Sequence, residues 1–532
     1  MIRKIMVLII IVAFSLGCSD QTNKQNVEQW DVYEITLNGP LTGNPFMEVE
    51  LSAVFTNKDE SIEVPGFYDG NGTYRIRFSP PGPGTWSYRT VSNVTEISDK
   101  KGKFMCTQPS GKNHGPVKVV NTYYLEYADG TSFYSVGTTA YQWTSVKQSI
   151  QDKTIETLEG APFNKIRMCV FPKWYRYGND TEPWTYPFKR EDGKNDFTQP
   201  NYEFFQNFDR RVHQLLELGI EADVILFHEY DIWGYFEMGS EMNERYVRYM
   251  IARISAYRNV WWSLANEWDI PRLKAAVDWE GIGTLLQEED PHQRLRGIHN
   301  WYNSEDHFYD HTRPWLTHVS AQTSQFYNAI KWREKYKKPL LFDEMRYEGD
   351  VPSGWGNLTA EEMTSYFWMA GLSGGYGTHG DTYRNDSDDS TEVRWWGKGG
   401  TLPGESPERI RFFRSVMEQA PVREMKPELI DNGDPANLNR DVAAQSQRTQ
   451  AGGIDEAEHR PPLALGDACH AACQRGFEFE QRRAHPVVSM GVQHIEARAH
   501  RRRARAGANF SAHSSPPDPL RRNSTPGLPA RL

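Results

Sequence analysis

The sequence predicts an α/β chain, a (β/α)8 barrel preceded by a small all-β sandwich. Three observations carry that expectation. Between residues 30 and 106 apolar and polar residues alternate between Gly/Pro turns, the two-residue period of half-buried strands. From about 115 to 420, short apolar runs alternate with stretches of helical period, as a parallel barrel requires. The competing architecture, an open doubly wound sheet, usually opens on a Gly-rich first turn, and none is visible.

The first residues read as an export signal. Arg3 and Lys4 form a basic n-region and Ile5 to Phe14 an apolar stretch too short to span a bilayer. Ser15-Leu16-Gly17-Cys18 comes next and resembles a bacterial lipobox, which implies lipidation at Cys18. Ser15 stands where Leu is usual, so cleavage by an ordinary signal peptidase is the alternative. The expectation is a lipoprotein signal peptide over 1–18, a polar tether over 19–27, membrane contact through the N-terminal lipid anchor alone, and a place in the bacterial cell envelope.

The sandwich is expected over 28–110. Met47, Val49, Leu51, Ala53 and Phe55 alternate with mostly polar neighbours, as do Tyr74, Ile76 and Phe78. Trp86 and Tyr88 lie beyond Pro80-Pro81-Gly82-Pro83-Gly84, which must be a turn. Such a domain either binds carbohydrate or braces the barrel.

The barrel is expected over 115–422. Its eight candidate strands are 133–137, 165–171, 223–228, 260–266, 295–299, 315–319, 339–344 and 374–378. Helical faces lie between several of them. Phe204, Phe205, Phe208, Val212, Leu215 and Leu216 share one face, which Gly219 can end, and Tyr246, Val247, Met250, Ile251 and Ile254 form another. Thr359-Ala360-Glu361-Glu362 is a capping box, and Ser406-Pro407 reads as an N-cap followed by Pro at the first helical position.

Residues 423–532 form an atypical tail. Beyond Asp441 there is no Trp, Tyr or Lys, and 442–532 hold 13 Arg against 8 acidic residues. It reads as a disordered basic arm or, preferably, as an out-of-frame or fused segment standing where a second β-sandwich is expected.

Net charge is -10, which argues against nucleic acid as a partner. The five Cys (18, 106, 169, 469 and 473) show neither CxxC nor zinc spacing, so neither a disulfide framework nor a metal is expected. The 17 Trp and 26 Tyr suit stacking on sugar faces or the filling of a large core.

Two apolar strands end in carboxylates: Val260-Trp261-Trp262-Ser263-Leu264-Ala265-Asn266-Glu267 and Pro339-Leu340-Leu341-Phe342-Asp343-Glu344. Barrel active sites sit at the C-terminal ends of strands. Hydrolysis of a glycosidic bond needs one carboxylic acid to protonate the leaving oxygen and one carboxylate to attack or to activate water. Alternation puts Asp343 and Glu344 on opposite faces without saying which face is inward, so Asp343 is a rival to Glu344.

This pairing resembles the large clan of retaining (β/α)8 glycosidases, with Asn-Glu closing strand four and Glu closing strand seven. The resemblance implies Glu267 as acid/base, Glu344 as nucleophile, Asn266 as donor to a sugar 2-hydroxyl, and Arg167 on strand two as a partner of the nucleophile. His228, His299 and His318 stand at further strand ends. His379, Asp381, Trp143 and Trp395 or Trp396 lie near the ends of strands eight and one, and all of these are candidate sugar contacts. The stretch 376–383, with Trp395-Trp396-Gly397-Lys398-Gly399-Gly400 and Gly404-Glu405-Ser406-Pro407, resembles the apiosidase-like bacterial glycosidases over roughly 115–420. Residues around Pro65–Gly70 and Arg75–Phe78 resemble the uncharacterised sandwich that precedes such barrels. A glycoside hydrolase without cofactor, acting on plant or microbial carbohydrate, is therefore implied. A glycan-binding surface lipoprotein and an inverting hydrolase are the alternatives.

Overall fold

A computed structural model of the chain describes residues 26–174, 182–301, 303–384 and 395–428. The expected signal peptide and tether up to residue 25, Cys18 among them, and the tail beyond 428 with Cys469 and Cys473 lie outside the described residues. Cys106 and Cys169 are free and buried.

Seven strands build the N-terminal domain: β1 (Asn26–Glu28), β2 (Tyr33–Asn38), β3 (Leu51–Asn57), β4 (Glu60–Tyr68), β5 (Thr73–Phe78), β6 (Gly84–Ser92) and β7 (Lys101–Thr107), in the order β1-β7-β6-β3-β4-β5-β2. The sheet folds over at Pro65-Gly66. Residues 60–65 of β4 pair with β3, and 66–68 pair with β5. Pro65 has no N–H to donate. A Cβ on Gly66 would lie 2.7 Å from Leu51 and 2.8 Å from Ile76 side-chain atoms. The two layers enclose Ile35, Phe55, Ile76, Phe78, Trp86 and Phe104. Strand β3 begins only at Leu51; Met47 belongs instead to α1 (Pro45–Glu48), which Pro45 can open because its missing N–H would be unpaired there anyway.

A hairpin, β8 (Val117–Val120) with β9 (Tyr124–Tyr127), leads into the barrel. The barrel begins with β10 (Val136–Thr139), α2 (Gln148–Gly160) and β11 (Lys165–Cys169). After β11 comes an inserted hairpin, β12 (Phe188–Glu191) with β13 (Lys194–Pro200), and then α3 (Tyr202–Leu218). Next are β14 (Glu221–His228), α4 (Ser240–Ile254), β15 (Val260–Asn266), α5 (Pro271–Ala276) and α6 (Trp279–Glu289). Then come β16 (Arg296–Gly297), β17 (Val319–Gln322), α7 (Ala329–Tyr336) and β18 (Leu340–Glu344). The described barrel finishes with β19 (Glu348–Gly349), α8 (Ala360–Leu372), β20 (Tyr376–His379), β21 (Asp381–Thr382), α9 (Trp395–Lys398) and α10 (Ser406–Gln419). Short β19 and β21 pair with each other outside the barrel sheet.

Eight strands pair in the order β16-β15-β14-β11-β10-β20-β18-β17. A parallel bridge between His299 and Ser320 joins the two ends and closes the ring. The expected helices are in place. Asn201 caps α3 by accepting from the Phe204 N–H, and Gly219 ends it at φ 73°, a left-handed conformation glycine adopts without Cβ strain. Thr359 and Glu362 form the expected capping box of α8. Two details differ from expectation. The connection from β16 to β17 carries only a 3-10 turn (Glu305–His307) among its described residues, not a helix. Ser406 lies inside the first turn of α10, where its hydroxyl meets Glu348 instead of capping.

The sandwich is bolted to the barrel by charge. Arg77 on β5 donates to Asp209 Oδ2 on α3 (2.8 Å) and to the Arg253 carbonyl (2.6 Å). Arg253 on α4 reaches back to Asp69 Oδ1 at 2.9 Å and holds Asp209 Oδ2 at 2.6 Å. The Phe67 ring lies under both guanidiniums, 5.0 and 4.5 Å from their carbons. The aromatic side chains of residues 26–107 are buried or half-buried.

Candidate active site

The barrel interior is ionic. Lys165 and Arg167 from β11, Asp223 from β14 and Asp343 from β18 meet there with almost no exposure. Lys165 donates to Asp343 at 2.6 Å and to Asp223 at 3.0 Å; Ser320 and Thr378 hydroxyls add 2.6 and 3.1 Å bonds to Asp343. The Lys165 and Arg167 cations hold the Asp343 carboxyl far below the usual carboxylate range, against the opposing effect of burial. Asp343 is thus committed to the core, and it is Glu344, one residue on, that reaches the barrel mouth.

At that mouth lies a cavity of about 470 Å3 with Glu267 and Glu344 in its wall. Strand β15 ends at Asn266, and Glu267 turns sharply out of it at φ 62°. A left-handed conformation at a non-glycine residue costs about 1–3 kcal/mol and persists only where the surroundings impose it. Arg346, two residues past β18, has φ 76°. Both carboxylate-bearing strands therefore end in a backbone kink.

The two carboxylates differ in their surroundings. Glu344 Oε1 accepts from the Tyr141 hydroxyl at 2.8 Å and from the Tyr347 hydroxyl. Its Oε2 is buried without a hydrogen-bond partner among the described residues, 3.6 Å from His299 Nε2. Glu267 lies in the same cavity wall as Tyr230, and its Oε2 is likewise buried without a hydrogen-bond partner among the described residues. Burial first, and then the nearby Glu344 charge, push the Glu267 carboxyl up to about 8. Burial also raises Glu344, opposed by Lys173, the Tyr141 bond and Arg167.

Lys173 sits between these groups. Its Nζ lies 4.1 Å from the Tyr141 ring centre, 4.1 Å from that of Tyr230 and 5.3 Å from that of Trp396. Of these rings, Tyr141 is the one whose hydroxyl bonds Glu344. Burial lowers the lysine, while Glu267 and Glu344 work to keep it charged.

Several expected contacts lie elsewhere. Arg167 does not bond Glu344; its guanidinium is taken by Asp223 (3.2 Å), Asp343 (3.3 Å) and Asn266 Oδ1 (3.4 Å). That last bond leaves Asn266 Nδ2 buried and unpartnered among the described residues. His228 Nε2 bonds the Phe171 carbonyl, and burial pushes the ring down to about 3, so it is neutral. His318 precedes β17 instead of ending it, and it packs beneath Gly297 and against Trp261. His379 stacks on Phe163 and faces Glu348. Asp381 accepts from the N–H groups of Tyr383 and Gly404, fastening a loop. Trp143 is core, and Trp395 donates to Thr138 Oγ1 in the interior; its neighbour Trp396 is the one lining the cavity. Sequence reasoning missed Tyr141, Lys173, Tyr230, Gln322, Thr323 and Tyr347, which sit at or just past strand ends. Among the described residues no group of three His, Cys, Asp or Glu side chains could hold a metal ion.

Residues 120–423 match a family described as the apiosidase-like catalytic domain, and residues 26–93 match a domain of unknown function, DUF5060. A solved structure from Bacteroides vulgatus ATCC 8482, given as a candidate glycoside hydrolase, is 40% identical with a TM-score of 0.71, covering 75% of this chain and 79% of that one. A glycoside hydrolase family 5 structure from the same organism is 15% identical at TM-score 0.46, covering 58% of this chain and 73% of that chain. The endo-beta-1,4-mannanase from Thermotoga petrophila is 15% identical at 0.39, covering 55% and 78%. No curated protein matches the chain.

Proposed function

The chain belongs to the apiosidase-like catalytic family and is a glycoside hydrolase, and from that premise we propose that it works by retaining double displacement, with Glu344 as nucleophile and Glu267 as acid/base. The observation that carries this reading is the unequal support of two buried carboxylates in one cavity. Two like charges so close disfavour joint ionisation. Two tyrosine hydroxyls, together with the positive charge of Lys173 and Arg167, favour the negative charge on Glu344. The single shared proton then rests on Glu267, whose carboxyl titrates at about 8.

Glu344 attacks the anomeric carbon, while Glu267 gives its proton to the leaving oxygen. Once Glu344 is esterified its charge is gone, and the Coulombic cause that raised Glu267 goes with it. Glu267 becomes a stronger acid, stays ionised and accepts a proton from the attacking water. Asn266 Nδ2, buried and without a partner among the described residues directly behind Glu267, supports its reading as the donor for the sugar 2-hydroxyl. Trp301, Trp355 and Trp396 supply stacking surface for a sugar from a plant or microbial polysaccharide.

A panel of 4-nitrophenyl glycosides and plant cell-wall oligosaccharides, monitored by 1H NMR from the first turnover, tests this. The first anomer released should match the configuration of the bond cleaved; the opposite anomer would make the enzyme inverting. We also propose that Cys18 is lipidated, on the strength of the basic and apolar stretches before it. Cys18→Ala should move the enzyme from the membrane to the soluble fraction, and an unchanged membrane share would sink the anchor.

A further inference from the structure

The active-site cavity does not end at the glutamates. Trp174 and Tyr230 line it, and both also line a second cavity of about 510 Å3. The Trp174 N–H donates to the Tyr230 carbonyl at 2.8 Å, so the two residues form one fixed ridge between the spaces. Both volumes fall within the ~300–1,000 Å3 of small-ligand sites.

The loop beyond the ridge is built, not loose. Asp231 Oδ1 accepts from the N–H groups of Trp233 (2.8 Å) and Gly234 (3.0 Å), and its Oδ2 accepts from Phe236 (3.0 Å). Arg190 from the inserted hairpin donates to the Trp233 carbonyl at 2.6 Å. Arg272 from α5 clasps Glu229 at 2.7 Å and lies 4.0 Å over the Phe236 ring. Ile232 stands 57% exposed on this rigid frame, and Trp174 is 39% exposed on the ridge. An apolar patch edged by fixed polar groups is the surface a hydroxyl-rich ring recognises.

The site also has a direction. On the Glu344 side, Tyr347, Trp355 and Trp396 form a continuous aromatic wall, with Trp355 and Trp396 ring centres 5.2 Å apart. On the Glu267 side stands Tyr230, two residues past the end of β14, where His228 pairs with Asn266 beside Glu267, and it borders the second cavity. The portion of substrate that leaves with the proton of Glu267 lies on the acid's side.

We propose that the second cavity is the leaving-group subsite, holding the sugars released from the anomeric carbon of an oligosaccharide chain that runs over the Trp174–Tyr230 ridge. This rests on the assignment of Glu267 as acid. The test compares kcat/KM on a 4-nitrophenyl glycoside, whose leaving group ends near the ridge, with that on the reducing-end-labelled trisaccharide and longer fraction of a plant cell-wall digest. Ile232→Arg fills the second cavity from an exposed position, and Ile232→Ser is the milder companion; thermal melting of each checks folding. Ile232→Arg should lower kcat/KM on the oligosaccharides about tenfold more than on the aryl glycoside, with Ile232→Ser intermediate. Equal losses on both substrates, or no loss on the oligosaccharides, would overturn the subsite. Glu344→Gln and Glu267→Gln on the aryl glycoside, in the same assay, test the catalytic reading separately.

Discussion

Lys173 is the residue through which both carboxylates are tuned. It opposes the upward shift of Glu267 and of Glu344 alike, from a place over the Tyr141 and Tyr230 rings. The proposed roles need Glu344 ionised and Glu267 protonated, so they predict a rate that falls on the acid side through Glu344 and on the alkaline side through Glu267, whose carboxyl is pushed up to about 8. Lys173→Met removes a positive charge that favours both ionised forms. Both limbs of the kcat/KM profile should therefore move to higher pH, by about one unit. A lower peak with unmoved limbs would make the lysine a packing residue. Tyr141→Phe deletes one hydrogen bond to an ionised carboxylate, worth about 1.5–3 kcal/mol. It should cut kcat/KM about ten- to a hundredfold and raise the acid limb alone, which a pH series on the purified variant reads directly.

At the scale of elements, the barrel interior replaces the usual aliphatic filling with a salt-bridge network. Lys165 and Asp343 are wholly buried, and Arg167 with the Ser320 and Thr378 hydroxyls still reaches Asp343 without Lys165, so its loss should cost about 3 kcal/mol, the low end for a broken buried pair. Lys165→Met should lower the urea midpoint accordingly, whereas the paired change Lys165→Met with Asp343→Leu should recover part of the loss. Equilibrium unfolding of the two variants distinguishes these outcomes. The same network explains what the sequence could and could not say. Strands β14, β15 and β18 were legible because each holds at least three apolar residues in a row and ends in a polar residue. Glu267 and Glu344 were legible because they stand at such ends. The exclusion of Asp343 was not, since strand alternation separates two faces without naming the inner one. Nor were Tyr141, Lys173, Tyr230 and Tyr347, because a side chain past a strand end takes its direction from loop geometry, which has no period to read. His379 and Asp381 misled for the converse reason. Their Gly-rich setting looked like a binding turn, yet their side chains tie the β20–α10 connection to Glu348 and Gly404.

At the scale of the molecule, the sandwich and barrel share one charged seam. Asp209 serves Arg77 from the sandwich and Arg253 from the barrel, so Asp209→Ala takes one carboxylate from two buried guanidiniums at once and leaves them Glu34 and Asp69. A loss of about 3–5 kcal/mol is expected, seen as a lower melting temperature while the aryl-glycoside pH profile keeps its limbs. A change in those limbs would mean the seam reaches the active site. The family match over 120–423 covers the whole ring of strands and both glutamates.

The division of labour between the two glutamates is tested most directly by azide rescue on an activated aryl glycoside, with the products identified by NMR. Glu344→Ala should be inactive and regain turnover with azide, giving a glycosyl azide of inverted configuration. Glu267→Ala should also respond to azide but give the retained configuration, because its nucleophile is intact. The same configuration from both variants, or the two outcomes exchanged, would contradict the assignment.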